Sequence, residues 1–205
     1  MAHTQLHFKA VAREKILSGA NALAEAVAIT LGPKSKSVLI EKEWGLPIVC
    51  NDGVTIAKEI SLKDPEENLG VQMLRQAAQR TGDLVGDGTT TATLLAHAIF
   101  AEGVRNVAAG ASAIDLKRGL DRGLGAAIRS VTALSHPITS LREREQVATI
   151  SAHNNAEIGV IVAEAVDKIG PEGAISVEEA RGMETTVDIV QGLQFARGFL
   201  SLYGK

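Results

Sequence analysis

Residues 84–99 read LVGDGTTTATLLAHAI, which places a Gly-Asp-Gly turn and three threonines directly before apolar residues at helical spacing. A helix begins with unpaired backbone N–H groups and a partial positive charge, which together favour an anion such as phosphate. Glycines let the main chain approach a ligand closely, and a carboxylate beside phosphates is a typical Mg²⁺ ligand. The stretch therefore predicts a phosphate and Mg²⁺ site, or else a plain turn in which a threonine caps the helix.

Composition and charge limit the function classes. The chain has 205 residues and 45% hydrophobic content, enough to bury a sizeable core. Its 21 basic and 24 acidic residues give a net charge of −3 without a dense Lys/Arg cluster, so we expect no nucleic-acid partner. The start lacks a signal-peptide pattern and no run reaches membrane-spanning length, so we expect no membrane partner and a cytoplasmic protein. Cys50, the only cysteine, is predicted to be an inert buried thiol in a strand.

Apolar spacing predicts a mainly α protein with small β elements. The first helix stops at Gly32 and Pro33, and the runs SVLI and PIVC that follow it predict a hairpin. Asp64 is expected to cap the next helix, with Glu67 completing a capping box. That helix should end near Gly82, and its predicted buried face is Leu69, Met73 and Ala77.

Two further features concern the second half of the chain. An amphipathic helix from about Ala113 is expected to face the core through Leu116, Leu120, Leu124, Ala127, Ile128, Val131 and Leu134. The pattern changes at SHPITS, Ser135–Ser140, which predicts a domain boundary. Beyond it, Asn154 or Asn155 should cap another helix, and the runs AISVEE and TTVDIVQ predict strands.

Common catalytic motifs do not account for the threonine-rich turn. The pattern GxxxxGK[ST] is absent, and GxGxxG fails because Thr91 stands where the third glycine would be. The five histidines show no metal-ligand spacing with cysteines or paired carboxylates. Three segments remain as candidates for chemistry: GDGTTT, TLGP at residues 30–33, and NDG at residues 51–53.

These segments resemble the group I chaperonins of bacteria, mitochondria and chloroplasts. The resemblance covers almost the whole chain in order. It rests on TLGPK, NDGVTIAKEI, GDGTTTAT, AAGASAIDLKRG, ATISAHNN and VQGLQFARGFLS. It implies the N-terminal half of a helical equatorial ATP-binding domain at residues 1–136, an α+β intermediate hinge segment at 137–190, and the start of an apical domain at 191–205.

The resemblance also implies the roles of single residues. ATP and Mg²⁺ would be the cofactors, with K⁺ as a further candidate ion; Asp87 would hold Mg²⁺ and Asp52 would position the attacking water. Phe199 and Tyr203 would open the client-binding face, or else simply pack in a strand. The implied nucleotide-binding residues are Thr30, Leu31, Gly32, Pro33, Asn51, Gly53, Asp87, Gly88, Thr89, Thr90, Thr91, Ile150 and Ser151.

Two functions follow from the resemblance. The first is a subunit of a homo-oligomeric double heptameric ring that works with a co-chaperonin lid on unfolded polypeptides. The second is a truncated binding or assembly protein without ATP turnover, which Asn51 favours because the family usually has lysine there. Because the stripes at Leu95/Ile99 and Leu120/Leu124/Ile128 would be left partly uncovered, we expect the 205 residues alone to be marginally stable and inactive.

Overall fold

The structure, a computed structural model, describes residues 9–32, 34–42, 45–170, 173–178, 185–190 and 192. It confirms a mainly helical fold with one small two-stranded sheet. The chain divides into two compact units between Ala133 and Leu134. The assignment of equatorial, intermediate and apical domains remains a prediction. In chain order the elements are α1 (Lys9–Ala28), β1 (Val38–Ile40), β2 (Ile48–Cys50), α2 (Gly53–Glu59), α3 (Pro65–Val85), α4 (Thr89–Ala108), α5 (Ala113–Leu134), α6 (Leu141–Ser151) and α7 (Ala156–Ile169).

The core of the first unit forms where α1 crosses α3. Glycines allow the two backbones to touch: a Cβ atom on Gly70 would lie 1.9 Å from the Ile16 carbonyl oxygen, and one on Gly19 would lie 1.7 Å from that of Glu67. Such a close crossing brings the apolar stripes of the two helices together. The buried apolar residues of this core are Ala20, Leu23, Ala24, Val27, Ile40, Ile56, Ala57, Val71, Leu74 and Ala78.

The start of α3 is capped as predicted, but its side-chain pattern is not a capping box. Asp64 Oδ1 accepts from the backbone N–H groups of Glu66 and Glu67, at 2.9 and 3.4 Å. The hydrogen bond from Lys15 lowers the pKa of the Asp64 carboxyl. Glu67 Oε1 accepts instead from the Ser18 hydroxyl of α1, at 3.1 Å, so this carboxylate links two helices.

The predicted end and buried face of α3 were wrong. The helix continues beyond Gly82 to Val85, where Gly86 ends it in the left-handed region at φ 82°. Leu69 and Met73 are about half exposed, at 50% and 52%, whereas the residues one position later in each turn are buried. The contact of Gly70 with α1 fixes this rotation, because only the face that carries the glycine can approach the neighbouring backbone.

Helix α5 also differs from its prediction. Its bounds agree with the sequence pattern, but within the described part of the chain none of its residues is buried. Leu124 is 60% exposed and Leu134 is 75% exposed. Most of the stripe that was expected to face the core therefore lies open on the helix surface, whereas Leu116 is half-buried beside Gly103 of α4.

The hairpin between β1 and β2 is confirmed. The strands pair antiparallel, with Val38 opposite Cys50 and Ile40 opposite Ile48. Cys50 is only half-buried, which corrects the expected full burial. Its Sγ accepts from the backbone N–H of Asp52 at 3.3 Å because the chain turns from β2 directly into α2.

The second unit contains α6 packed against α7. Ser140 and Glu143 form a reciprocal capping box at the start of α6, and Asn155 caps α7 by accepting from the Ile158 N–H at 3.1 Å. The described parts of the two predicted strands, within residues 173–178 and 185–190, adopt no strand, and Glu179 and Gln191 lie outside the described residues. A short strand is stable only when it is paired in a sheet. No helix in the described part of the chain is long and apolar enough to cross a membrane.

Candidate functional site

The turn between α3 and α4 has the backbone that a Gly-Asp-Gly sequence favours. Gly86 and Gly88 both lie in the left-handed region, at φ 82° and 79°, where other residues are strained. Gly88 is the N-cap of α4 and supplies no side-chain cap. This contradicts the alternative in which a threonine caps the helix. The 20-residue helix α4 thus begins directly after a glycine turn, and its first backbone N–H groups have no partner within the helix.

The threonines after this turn differ in orientation. Thr89 is 7% exposed, and its methyl group lies 3.6 Å from where a Cβ on Gly82 would be, so its side chain packs between α3 and α4. Thr90 is half-buried and Thr91 is exposed. The Thr93 hydroxyl is buried and donates to the Thr89 carbonyl at 2.8 Å. Thr90 and Thr91 are therefore the better placed of the three predicted hydroxyls to meet a ligand.

Asp87 lies exposed at the tip of the turn. Its Oδ1 accepts from the Gly88 N–H at 2.6 Å, which holds the carboxylate beside the start of α4. The described residues contain no group of three or more acidic, histidine or cysteine side chains that could hold a metal. Mg²⁺ commonly binds one or two carboxylates and takes its remaining oxygens from phosphates and water. Asp87 therefore fits Mg²⁺ that arrives together with a phosphate ligand.

Asp52 is the N-cap of α2. Its Oδ2 accepts from the Thr55 backbone N–H at 2.9 Å and from the Thr55 hydroxyl at 2.7 Å. These two bonds fix the orientation of the carboxylate at the helix start. Sequence reasoning missed this cap and its partner Thr55, although aspartate is a preferred residue directly before a helix.

A close contact brings the Asp52 segment to the threonine-rich turn. A Cβ atom on Gly53 would lie 2.3 Å from the Thr90 hydroxyl oxygen and 3.1 Å from its Cα. Only glycine allows the first turn of α2 to approach α4 so closely. Two of the three candidate segments, NDG and GDGTTT, therefore meet at the amino-terminal ends of α2 and α4.

The third segment, TLGP, follows the end of α1. The Thr30 hydroxyl donates to the Val27 carbonyl at 2.8 Å, and Gly32 has a left-handed φ of 89°. Val27 belongs to the same core as Ile56 of α2. Leu31 is about half exposed, at 52%, and Pro33 lies outside the described residues.

The remaining predicted residues are Asn51, two residues of the second unit and two residues outside the described part of the chain. Asn51 is exposed directly before Asp52 and contributes an uncharged amide. Ile150 and Ser151 end α6 in the second unit, and Ile150 is 68% exposed. Phe199 and Tyr203 lie outside the described residues.

Known proteins share this sequence and fold. The chain is 66% identical to chaperonin GroEL 5 of Bradyrhizobium diazoefficiens over 203 residues, which are 99% of this chain and 38% of that protein. It is similar to the crystal structure of a group III chaperonin in the open state, with a TM-score of 0.64 and 28% identity over 77% of this chain and 32% of the other. Residues 23–202 match the TCP-1/cpn60 chaperonin family. The chain therefore belongs to the TCP-1/cpn60 chaperonin family.

Proposed function

We propose that the complete protein is a subunit of an ATP-dependent chaperonin, which captures unfolded polypeptides and promotes their folding in a double-ring cavity. Membership of the chaperonin family and the similarity to chaperonin GroEL 5 support this role. The chain spans 38% of the length of that relative. The proposed setting is the cytoplasm, with a heptameric double ring and a co-chaperonin lid as partners.

The proposed nucleotide site is the turn before α4. The first N–H groups of α4 and the Thr90 and Thr91 hydroxyls would donate to phosphate oxygens, and the left-handed glycines would let the main chain approach them closely. Asp87 would hold Mg²⁺, which when bound neutralises charge on the phosphates. TLGP after α1 would contact the nucleotide beyond the phosphates, and K⁺ remains a further candidate ion.

Asp52 is the proposed group for ATP hydrolysis. Its carboxylate would accept a hydrogen bond from the attacking water and hold that water in line with the terminal phosphate. The observation that carries this proposal is the contact between Gly53 and Thr90, because it sets the Asp52 cap beside the predicted phosphate site. Phosphoryl transfer depends mainly on positioning and charge, so a carboxylate there needs no covalent step.

The second candidate function is binding or assembly without ATP turnover. Asn51 favours it, since an amide supplies no positive charge beside Asp52 for the phosphates. The open apolar stripe of α5 also suits a role in association. In this case nucleotide binding, if retained, would be uncoupled from hydrolysis.

Calorimetric titration of the complete protein with ATP, with and without Mg²⁺, tests the nucleotide site. We expect Asp87→Ala to remove the Mg²⁺-dependent part of the affinity because it deletes the proposed metal ligand. Asp83→Ala is the matched control, since Asp83 is an exposed carboxylate at the end of α3. Unchanged ATP affinity in Asp87→Ala would contradict the proposed site. If the wild-type protein binds ATP but releases no phosphate, the result supports binding or assembly without ATP turnover.

A further inference from the structure

Helix α2 is too short to hold its own position. It has 7 residues, about two turns, whereas isolated helices shorter than about 12 residues are marginal in water. Its buried residues Ile56 and Ala57 anchor its middle in the core. Its amino-terminal end is fixed by the contact of Gly53 with Thr90.

The carboxyl-terminal end of α2 carries an ion pair between Glu59 and Lys42, at 3.7 Å, and its backbone is held by one side chain of α3. The last carbonyl groups of a helix have no partner within it. Arg75 of α3 binds two carbonyls at this end: its Nε donates to the Ala57 carbonyl at 2.7 Å, and its Nη2 donates to the carbonyl of Ile60, the C-cap residue directly after α2. The positive guanidinium also suits the partial negative charge at this end.

The geometry of these two bonds favours arginine over lysine. The acceptors belong to residues three positions apart, and a planar guanidinium can reach both with different nitrogens. A lysine ammonium is a point charge on a flexible chain, so it fixes direction less well. Arg75 is half-buried, which reduces competition from water.

We infer that Arg75 is a positioning residue for Asp52, acting through α2. Asp52 caps the other end of the same short helix, so a change in the position of α2 at Ala57 and Ile60 also moves the carboxylate. Arg75 itself need not touch the nucleotide. This inference rests on the proposed function, in which Asp52 holds the attacking water.

The test compares three variants of the complete protein by steady-state ATP hydrolysis. Arg75→Ala should lower kcat by about 10- to 100-fold, the scale expected for a small misplacement of a reacting group, with little change in the KM for Mg·ATP. Arg75→Lys should recover part of kcat because it keeps one donor. Arg80→Ala, which removes an exposed arginine from the same helix, should match the wild type.

Hydrogen exchange provides a readout that does not depend on activity. Loss of a hydrogen bond to a charged donor should make the backbone amides of α2 exchange about tenfold faster in Arg75→Ala than in Arg80→Ala. The same comparison with the amides of α4 shows whether the change is confined to α2.

The outcomes separate this inference from the proposed function. The positioning role is overturned if Arg75→Ala keeps the wild-type kcat. It is also overturned if this variant loses kcat and ATP affinity together while hydrogen exchange rises throughout the first unit. A wild-type protein that neither binds nor hydrolyses ATP contradicts the proposed function. In that case hydrogen exchange still decides whether Arg75 holds α2. Equal exchange of the α2 amides in Arg75→Ala and Arg80→Ala would show that Arg75 does not hold this helix.

Discussion

Gly70 allows α1 and α3 to cross with their backbones in contact, so its replacement by alanine tests the basis of the core. The new Cβ would lie 1.9 Å from the Ile16 carbonyl oxygen and 2.7 Å from the Ala20 nitrogen. Both are backbone atoms, which cannot rotate away as a side chain can. The two helices must therefore separate by about 1 Å before the contact becomes tolerable.

The cost follows from the packing that this separation disrupts. A gap of about 0.5–1 Å loses roughly a quarter to a half of the dispersion attraction between facing atoms. The fully buried side chains of the core include Leu23 and Val27 on α1 and Val71 on α3, and all three would lose part of this dispersion attraction. Overpacking costs about 1–3 kcal/mol, and a contact between two backbones lies at the upper end of this range, while the better helix propensity of alanine returns about 1 kcal/mol. We expect the free energy of unfolding to fall by about 2 kcal/mol.

Urea unfolding of the complete protein, followed by far-ultraviolet circular dichroism, measures this change. Gly82→Ala is the matched control on the same helix, since a Cβ there would meet only Thr89 and Val54 methyl groups at 3.6 and 3.9 Å. That control should gain about 0.5–1 kcal/mol from helix propensity. Equal urea midpoints for Gly70→Ala and the wild type would refute the close crossing as the determinant of the core.

Three other predictions concern the site, the second unit and the chain alone. Asp52→Ala should keep ATP binding and slow hydrolysis in the complete protein, and an equal loss of both in calorimetry and phosphate-release assays would assign Asp52 to structure. Hydrogen bonds from the Thr139 and Ser140 backbone lower the pKa of Glu143 from 4.5 to about 2. The ionised Glu143 carboxylate should therefore stabilise α6 fully above pH 4.5, and this stabilisation should be lost as the pH falls towards 2. The amide chemical shifts of α6 should follow this change in the wild type and should not show it in Glu143→Gln. The 205 residues expressed alone should aggregate or melt without cooperativity and show no ATPase activity, whereas a monodisperse species that Mg·ATP stabilises by several degrees in thermal unfolding would contradict this.

The sequence predicted correctly those elements that depend on residues close together in the chain. Asp64 and Asn155 are capping residues in both sequence and structure, and the hairpin follows from two short β-branched runs. The glycines around Asp87 predicted a turn, and both lie in the left-handed region that few other residues adopt.

The parts that failed depend on contacts between elements. The rotation of α3 is set by the crossing at Gly70, which periodicity cannot show when apolar residues occupy several faces of a helix. The exposure of the α5 stripe, with Leu124 as an example, depends on what packs against it and not on its own amphipathic pattern. The contact between Gly53 and Thr90 joins positions far apart in the chain, so no local signal could reveal that these two motifs meet.

Cys50 gives the molecule a natural labelling position beside the proposed hydrolytic group. It is the only cysteine in these 205 residues, and its sulfur lies 3.3 Å from the Asp52 nitrogen. A small fluorinated tag on this thiol would place a ¹⁹F nucleus at the entrance of α2 without any engineered cysteine. Its NMR line shape would then follow motions of this corner in real time as nucleotide is added.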